Sequence, residues 1–292
     1  MGKDIVAEVL NKTSKLHRKS KITLGTEMQD EKDLEYVMMP RWWQGATNTK
    51  GIPFRKIVMI AGDSDSGKTS CSIAAIKAAQ EQGVTVLYVE TEGKTTKKDF
   101  TDWGVDPAKV NVLMESVAEE IYDTVCEFID EKIKKNEKLL VVIDSIGNVI
   151  SKRDASRSLV ESSAKPGGKG QTNREGLNKL IAKRTQHDIA LLIVNYTYDN
   201  IGSPGKTNAG GKAVNFFSSL TYQTSRKQWL EKIVKGTKVR IGARVQWKLF
   251  KNHIDKSNPG PKVVELDITA KGIEFVGGSS NEETEESNSS PD

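Results

Sequence analysis

Cysteine is nearly absent: Cys71 and Cys126 are the two thiols of the 292-residue chain, and they lack metal-type spacing. Both fall in segments that read as helical, so free buried thiols in a reducing compartment are expected rather than a disulfide frame. Long apolar runs are missing as well. No stretch approaches the roughly 18–20 residues that a bilayer span needs, and Lys3, Asp4 and Glu8 stand where a secretory leader is apolar. The start, Met-Gly-Lys-Asp-Ile-Val, also misses the myristoylation pattern, because Val6 occupies the Ser/Thr position. These absences argue against disulfide-stapled, membrane-spanning and myristoylated classes, and a cytoplasmic protein is expected. The formal net charge of +5 is modest but unevenly placed. Residues 226–256 are rich in Lys and Arg, whereas 277–292 hold Glu282, Glu283, Glu285, Glu286 and Asp292 with no basic residue, and read as a disordered acidic tail.

What the chain does have is KIVMIAGDSDSGKTSCS at 56–72: a short apolar run, a glycine-bounded loop, then residues able to start a helix. Gly62, Asp63, Ser64, Asp65, Ser66, Gly67, Lys68 and Thr69 fit G-x-x-x-x-G-K-[ST], the phosphate-binding loop, with Ser70 following. Such a loop turns consecutive N–H groups inward at a helix N-terminus and so cradles an anion. Lys68 then reaches the β- and γ-phosphates, and Thr69 offers its hydroxyl to Mg²⁺.

The flanks supply the context the motif needs. The pattern predicts strands over 57–61, 85–90, 139–144 and 190–195, and helices over 71–82, 117–135 and 172–186. Apolar strands alternating with helices mean a mostly parallel sheet covered on both faces. After Ser218 the strands predicted over 220–225, 239–250, 262–268 and 272–276 follow one another without helices, joined by turns such as Asn258-Pro259-Gly260-Pro261. They read as antiparallel strands added at one edge. Residues 3–17 carry a helical apolar stripe, 18–50 are irregular by pattern, and the pair Trp42–Trp43 is expected to cap a core. The division expected is an N-terminal helix and linker over 1–50, a core over 51–276 and a tail over 277–292.

A phosphate cradle also needs a carboxylate near Mg²⁺ and a group that activates water. Asp144 ends the strand LLVVID and suits the first role. Glu90 and Glu92 both stand at the end of the strand after the P-loop helix, where spacing does not choose between them.

The ordered set GDSDSGKTS, YVETEG before WGVDPAKV, VVIDSIGNVISKRD, and VNYTYDN leading to AGGKAVNFFSS resembles the RecA-like recombinases, its phage members most of all, over about Ile57 to Phe217. The resemblance implies an α/β RecA-like P-loop ATPase core using ATP and Mg²⁺. Counting back from Gly104-Val105-Asp106, it puts the catalytic glutamate at Glu92 and matches Asp144 to the Mg²⁺-associated aspartate. Tyr196 stands where the family has a Gln or His that senses the γ-phosphate. The segment LFKNHI offers Lys251, with His253 beside it, as the basic pair that reaches a neighbouring subunit's nucleotide. Two DNA-facing loops are implied, the first with Lys152, Arg153, Arg157, Lys165 and Lys169, the second with Tyr198, Lys206 and Lys212. Lys and Arg among Gly and Ser suit a phosphate backbone.

The function implied is a DNA-dependent ATPase that forms filaments on single-stranded DNA and pairs it with duplex DNA, in the host cytoplasm if phage-encoded. A ring is the alternative free assembly, and a single-strand-binding or loader protein a further partner. The chain stops soon after the core, without the C-terminal domain of bacterial members. Two other readings are a mediator or paralog with weak strand exchange, and a helicase or motor ATPase on a related core.

Overall fold

Apolar strands that show no polar alternation are satisfied only between two covering layers. The computed structural model, which describes residues 34–157, 168–184, 187–199, 206–254 and 263–279, builds that arrangement. Its elements in chain order are β1 (Tyr36–Met38), α1 (Arg41–Thr47), β2 (Gly51–Pro53), β3 (Ile57–Gly62), α2 (Lys68–Glu81), β4 (Thr85–Glu90), α3 (Lys97–Asp102), β5 (Val110–Met114), α4 (Ala118–Lys134), β6 (Leu139–Asp144), α5 (Lys152–Ala155), α6 (Gly168–Arg184), β7 (Ile189–Asp199), β8 (Lys206–Asn208), α7 (Lys212–Phe217), β9 (Leu220–Val234), β10 (Thr237–Asn252), β11 (Val263–Thr269) and β12 (Gly272–Ser279). The expected helix over 3–17, Lys165, the Asn258–Pro261 turn and the acidic residues from Glu282 lie outside the described residues. Among those described, no helix is long and apolar enough to cross a membrane.

One sheet runs in the order β12-β11-β10-β9-β3-β7-β6-β4-β5, with β8 paired to β7. From β9 to β5 neighbouring strands are parallel, and from β9 to β12 they are antiparallel. Alternate side chains feed two cores. Val58, Ile60, Val142 and Leu192 face α2 and the N-terminal elements, while Met59, Val141, Ile143 and Ile193 face α4 and α6. All six residues of β6 are buried. Polar chemistry is thereby confined to the sheet's carboxyl edge, where the register places Gly62 beside Tyr196 and Glu90 beside Asp144.

The sheet differs from the pattern in instructive places. Helix α1 occupies part of the irregular stretch, too short at seven residues for periodicity to reveal it. Pro40 precedes it and Asn48 ends it in the left-handed region. It delivers Trp43, fully buried, against Tyr222 and Trp247 at ring-centroid distances of 5.6 and 5.7 Å. Strand β5 alternates weakly because it forms the sheet's edge, leaving Val112 and Met114 exposed. β9 runs well past the expected 225 to Val234, while β10 starts at Thr237, close to the expected 239, and the two form a largely exposed ribbon at that end. Cross-strand pairing prolongs them where burial does not. β12 reaches Ser279, so 277–279 belong to the sheet rather than to the tail.

The aromatic cluster ties α1 to the antiparallel strands. Trp43→Ala is expected to cost about 3–5 kcal/mol, read by circular dichroism as a melting-temperature fall of roughly 10 °C, with Trp43→Phe losing much less.

Candidate active site

The cradle forms because two glycines are sterically required. A Cβ on Gly62 would lie 2.2 Å from Thr224 O, and Gly67 has φ +79° with Ile268 Cδ1 2.1 Å from its would-be Cβ. Between them Asp65 takes φ +55°, a conformation Asp tolerates better than most residues. Buried Ser66 braces the loop, its Oγ 2.7 Å from Asp63 O and 2.6 Å from Thr224 Oγ1. α2 then starts at Lys68 with no side-chain cap, leaving its first amides for an anion. Lys68 Nζ donates to Asp63 O at 2.5 Å. Burial lowers its pKa; Asp144, Asp63, Glu92 and Asp65 oppose the fall, less strongly.

The loop opens into a cleft of ≈ 560 Å³, lined also by Glu92, Lys94, Asp144, Ser145, Asn148 and Tyr196. That volume lies within the usual range for small-molecule sites, about 300–1,000 Å³. Asp144 is buried, bonded by Thr69 and by Ser72 Oγ at 3.2 Å. Burial pushes its carboxyl above the ordinary value and Glu92 adds to the rise, outweighing the pull of Thr69, Ser72 and Lys68. Among the described residues no trio of His, Cys, Asp or Glu could hold a metal. A hydroxyl and one carboxylate beside a phosphate cradle still fit Mg²⁺, which takes few protein ligands and completes its shell with phosphate and water.

The two glutamates separate in space. Glu90, 4% exposed, accepts from the amides of Glu92 (3.2 Å), Gly93 (2.5 Å) and Lys94 (3.3 Å). Glu92 faces the cleft, its Oε1 accepting from Ser145 Oγ at 3.0 Å and from Asn148 Nδ2, its Oε2 from Lys94 Nζ. Burial pushes the Glu92 pKa up, but Lys94, Ser145 and Asn148 together bring it below the ordinary value.

Tyr196 reaches the cleft with its hydroxyl donating to Gly147 O at 3.1 Å. Burial raises its pKa, Glu92 adding to the rise. Lys169, expected on a DNA-facing loop, sits in α6, half-buried, with Nζ donating to the same Gly147 carbonyl. Lys152 is exposed and pairs with Glu120 at 2.7 Å. Arg153, Tyr198 and Lys212 are exposed, and Arg157 is partly so. Lys206 pairs with Asp63 at 2.5 Å. Lys251 is outside the cleft lining, donating to Asn215 O (2.7 Å) and Phe216 O (3.1 Å) at the end of α7; His253 is exposed.

Sequence reasoning missed Lys94 and Asn148. The YVETEGK segment itself placed a cation two residues from Glu92, but only the turn brings them together. It also missed the ribbon's Trp229, held between Arg226 and Arg240 with guanidinium-to-ring distances of 4.2 and 4.3 Å. Arg226 further pairs with Asp65 at 3.2 Å.

A phosphate cradle after one parallel strand, with carboxylates at the ends of two others, defines the P-loop NTPase class of core. The chain belongs to the RecA N-terminal domain family, whose model matches residues 5–274. Its fold is accordingly α/β, a mostly parallel RecA-like sheet with helices on both faces and antiparallel strands at one edge. It is similar to protein RecA of Malacoplasma penetrans, 29% identical over 212 residues covering 72% of this chain and 61% of that protein. Protein RecA of Fusobacterium nucleatum is 28% identical over 231 residues, 78% of this chain and 58% of that one. For Streptomyces rimosus the figures are 26% over 238 residues, 80% and 60%. The chain spans about three fifths of the length of these relatives.

The raised pKa of Asp144 means that its charge opposes folding. Stability is lost as pH rises from the ordinary aspartate value of 3.8 through the raised folded-state pKa. Asp144→Asn is therefore expected to raise the melting temperature of the nucleotide-free protein at pH 7 by about 2–4 °C. In a pH series the gain should vanish as the pH falls towards the ordinary aspartate value of 3.8.

Proposed function

We propose that the chain is an ATP-dependent recombinase of the phage UvsX kind, which coats single-stranded DNA as a filament and pairs it with homologous duplex. The observation that carries this reading is the course of β7. One strand crosses the buried sheet, presents Tyr196 in the cleft, and continues through Thr197, where the second DNA-facing loop is expected to begin, to Asp199. The return strand β8 brings Lys206 back onto Asp63 of the cradle. Nucleotide and DNA elements thus share a strand and an ion pair.

In this reading the loop amides and Lys68 hold the β- and γ-phosphates. Thr69 and Asp144 would hold Mg²⁺, and the ion would supply neutralisation of the phosphate charge. The oxygen of a water molecule bonds to the γ-phosphorus while its proton passes to Glu92. The bond to the β,γ-bridging oxygen breaks with its electron pair, which leaves on ADP. Glu90 is set aside because three amides already engage its carboxylate. Lys152, Arg153, Arg157, Lys165, Tyr198, Lys206 and Lys212 are the proposed DNA contacts, joined by the ribbon's Arg226 and Arg240. Lys169 is reassigned to bracing Gly147. Among the described residues β5 is an edge strand, and with Met114 67% exposed it suits contact with a second copy. Lys251 is assigned to the nucleotide of that neighbour.

A mediator with weak strand exchange is the second reading, favoured by the Tyr196 hydroxyl being engaged by Gly147 O. Single-stranded DNA should stimulate ATP hydrolysis, and electron microscopy should show regular filaments. ATP binding without stimulated turnover supports the mediator, and rings with unwinding activity overturn both. Glu92→Gln should keep ATP and DNA binding while turnover falls roughly 10²–10⁴-fold. Each DNA-contacting cation removed should flatten the log affinity against log salt slope by about 0.7.

A further inference from the structure

Glu92 is masked as a base. Its Oε1 accepts from Ser145 and Asn148, and its remaining oxygen, Oε2, is held by Lys94. While the ammonium stays there, it fills one of that oxygen's two lone-pair directions and weakens it as a proton acceptor. The backbone beneath the pair is clamped, since Glu90 takes the amides of Glu92, Gly93 and Lys94, and Gly93 turns the chain at φ +68°. The Lys94 side chain is the movable part. It is 77% exposed against 21% for Glu92, and it borders the cleft that Lys68 and Thr69 also line. An exposed ion pair of this kind holds weakly and exchanges readily. A lysine suits exchange better than an arginine would, as a compact charge on a flexible four-carbon stem.

We propose that Lys94 is a further catalytic residue, a cation with two positions: on Glu92 when no γ-phosphate is bound, and on a γ-phosphate oxygen when one is. The transfer unmasks Oε2 at the moment when a water attacking the γ-phosphorus needs a proton acceptor. The same ammonium then balances charge on the departing phosphate. With ADP the γ-phosphate oxygen that receives Lys94 is missing, so the base stays masked. The device lies within one subunit and reports on the third phosphate without a neighbour's help. It rests on the ATPase reading above.

The test is calorimetric titration of ADP and of the non-hydrolysable imido analogue of ATP, each with Mg²⁺, into the full chain without DNA. Lys94→Ala is expected to weaken the analogue about tenfold and leave ADP unchanged. Glu92→Gln frees Lys94 in advance, so it should tighten the analogue, and this gain should be missing from the K94A/E92Q double variant. Equal effects of Lys94→Ala on both nucleotides overturn the proposal. So does a gain from Glu92→Gln that persists in the double variant, because relief of negative charge alone then explains it. A wild-type chain that binds neither nucleotide overturns the ATPase reading itself and the proposal with it.

Discussion

Burial of the central strands on both faces is the constraint from which the site follows. β3, β6 and β7 are walled by α2 on one side and by α4 and α6 on the other, so a polar ligand has no lateral approach. The carboxyl edge alone presents backbone turns and strand-end side chains to solvent. Parallel register then decides which residues meet there. Gly62, Tyr196, Glu90 and Asp144 stand together because their strands are aligned, although they are scattered between positions 62 and 196 of the chain. A one-residue slip of β6 would send Asp144 to the opposite face.

The edge carries an electrostatic conflict that the fold has to manage. A cradle for a polyanion is ringed by Asp63, Asp65, Glu92 and Asp144, four carboxylates that repel it. Each of the first three has a basic partner: Lys206 on Asp63, Arg226 on Asp65 and Lys94 on Glu92. Asp144 instead keeps hydroxyl partners, and burial raises its pKa. Two of the three cations come from elements assigned to DNA, the loop-two return strand and the ribbon. If those elements bind DNA as proposed, its phosphates and the cradle would compete for the same side chains, coupling the two ligands through charge.

Much of this was legible in the chain itself. Strands 85–90 and 139–144 were read with the boundaries they have, because six consecutive apolar or strand-terminal residues leave little choice. The P-loop was legible because its two glycines are demanded by backbone and side-chain atoms of other strands. Short elements escaped: α1 has too few residues to show a period, and β5 is a five-residue edge strand with none of its residues buried. Glu90 and Glu92 were inseparable by spacing, since two residues apart along a strand means one face. The chain in fact leaves β4 after Glu90, and the following turn reverses the sense of the second side chain. Lys94 was invisible for the same reason, because its meaning lies in that turn.

The arrangement around Gly147 decides which parts of the site can move. Its carbonyl is bonded from two sides, by Tyr196 on β7 and Lys169 on α6, and a Cβ on Gly147 would strike the Tyr196 ring at 2.3 Å. The next residue, Asn148, holds Oε1 of Glu92. That side of the base is therefore locked to two elements that border the expected DNA loops. The other side is held by one exposed lysine on a clamped turn. A contiguous chain of contacts transmits a state only where one member has two arrangements. Here the rigid members are Gly147, Asn148 and the Glu90 clamp, and the member with two arrangements is Lys94. A phenol in place of an amide at position 196 then serves as a brace for the locked side, while discrimination of the third phosphate passes to the lysine opposite.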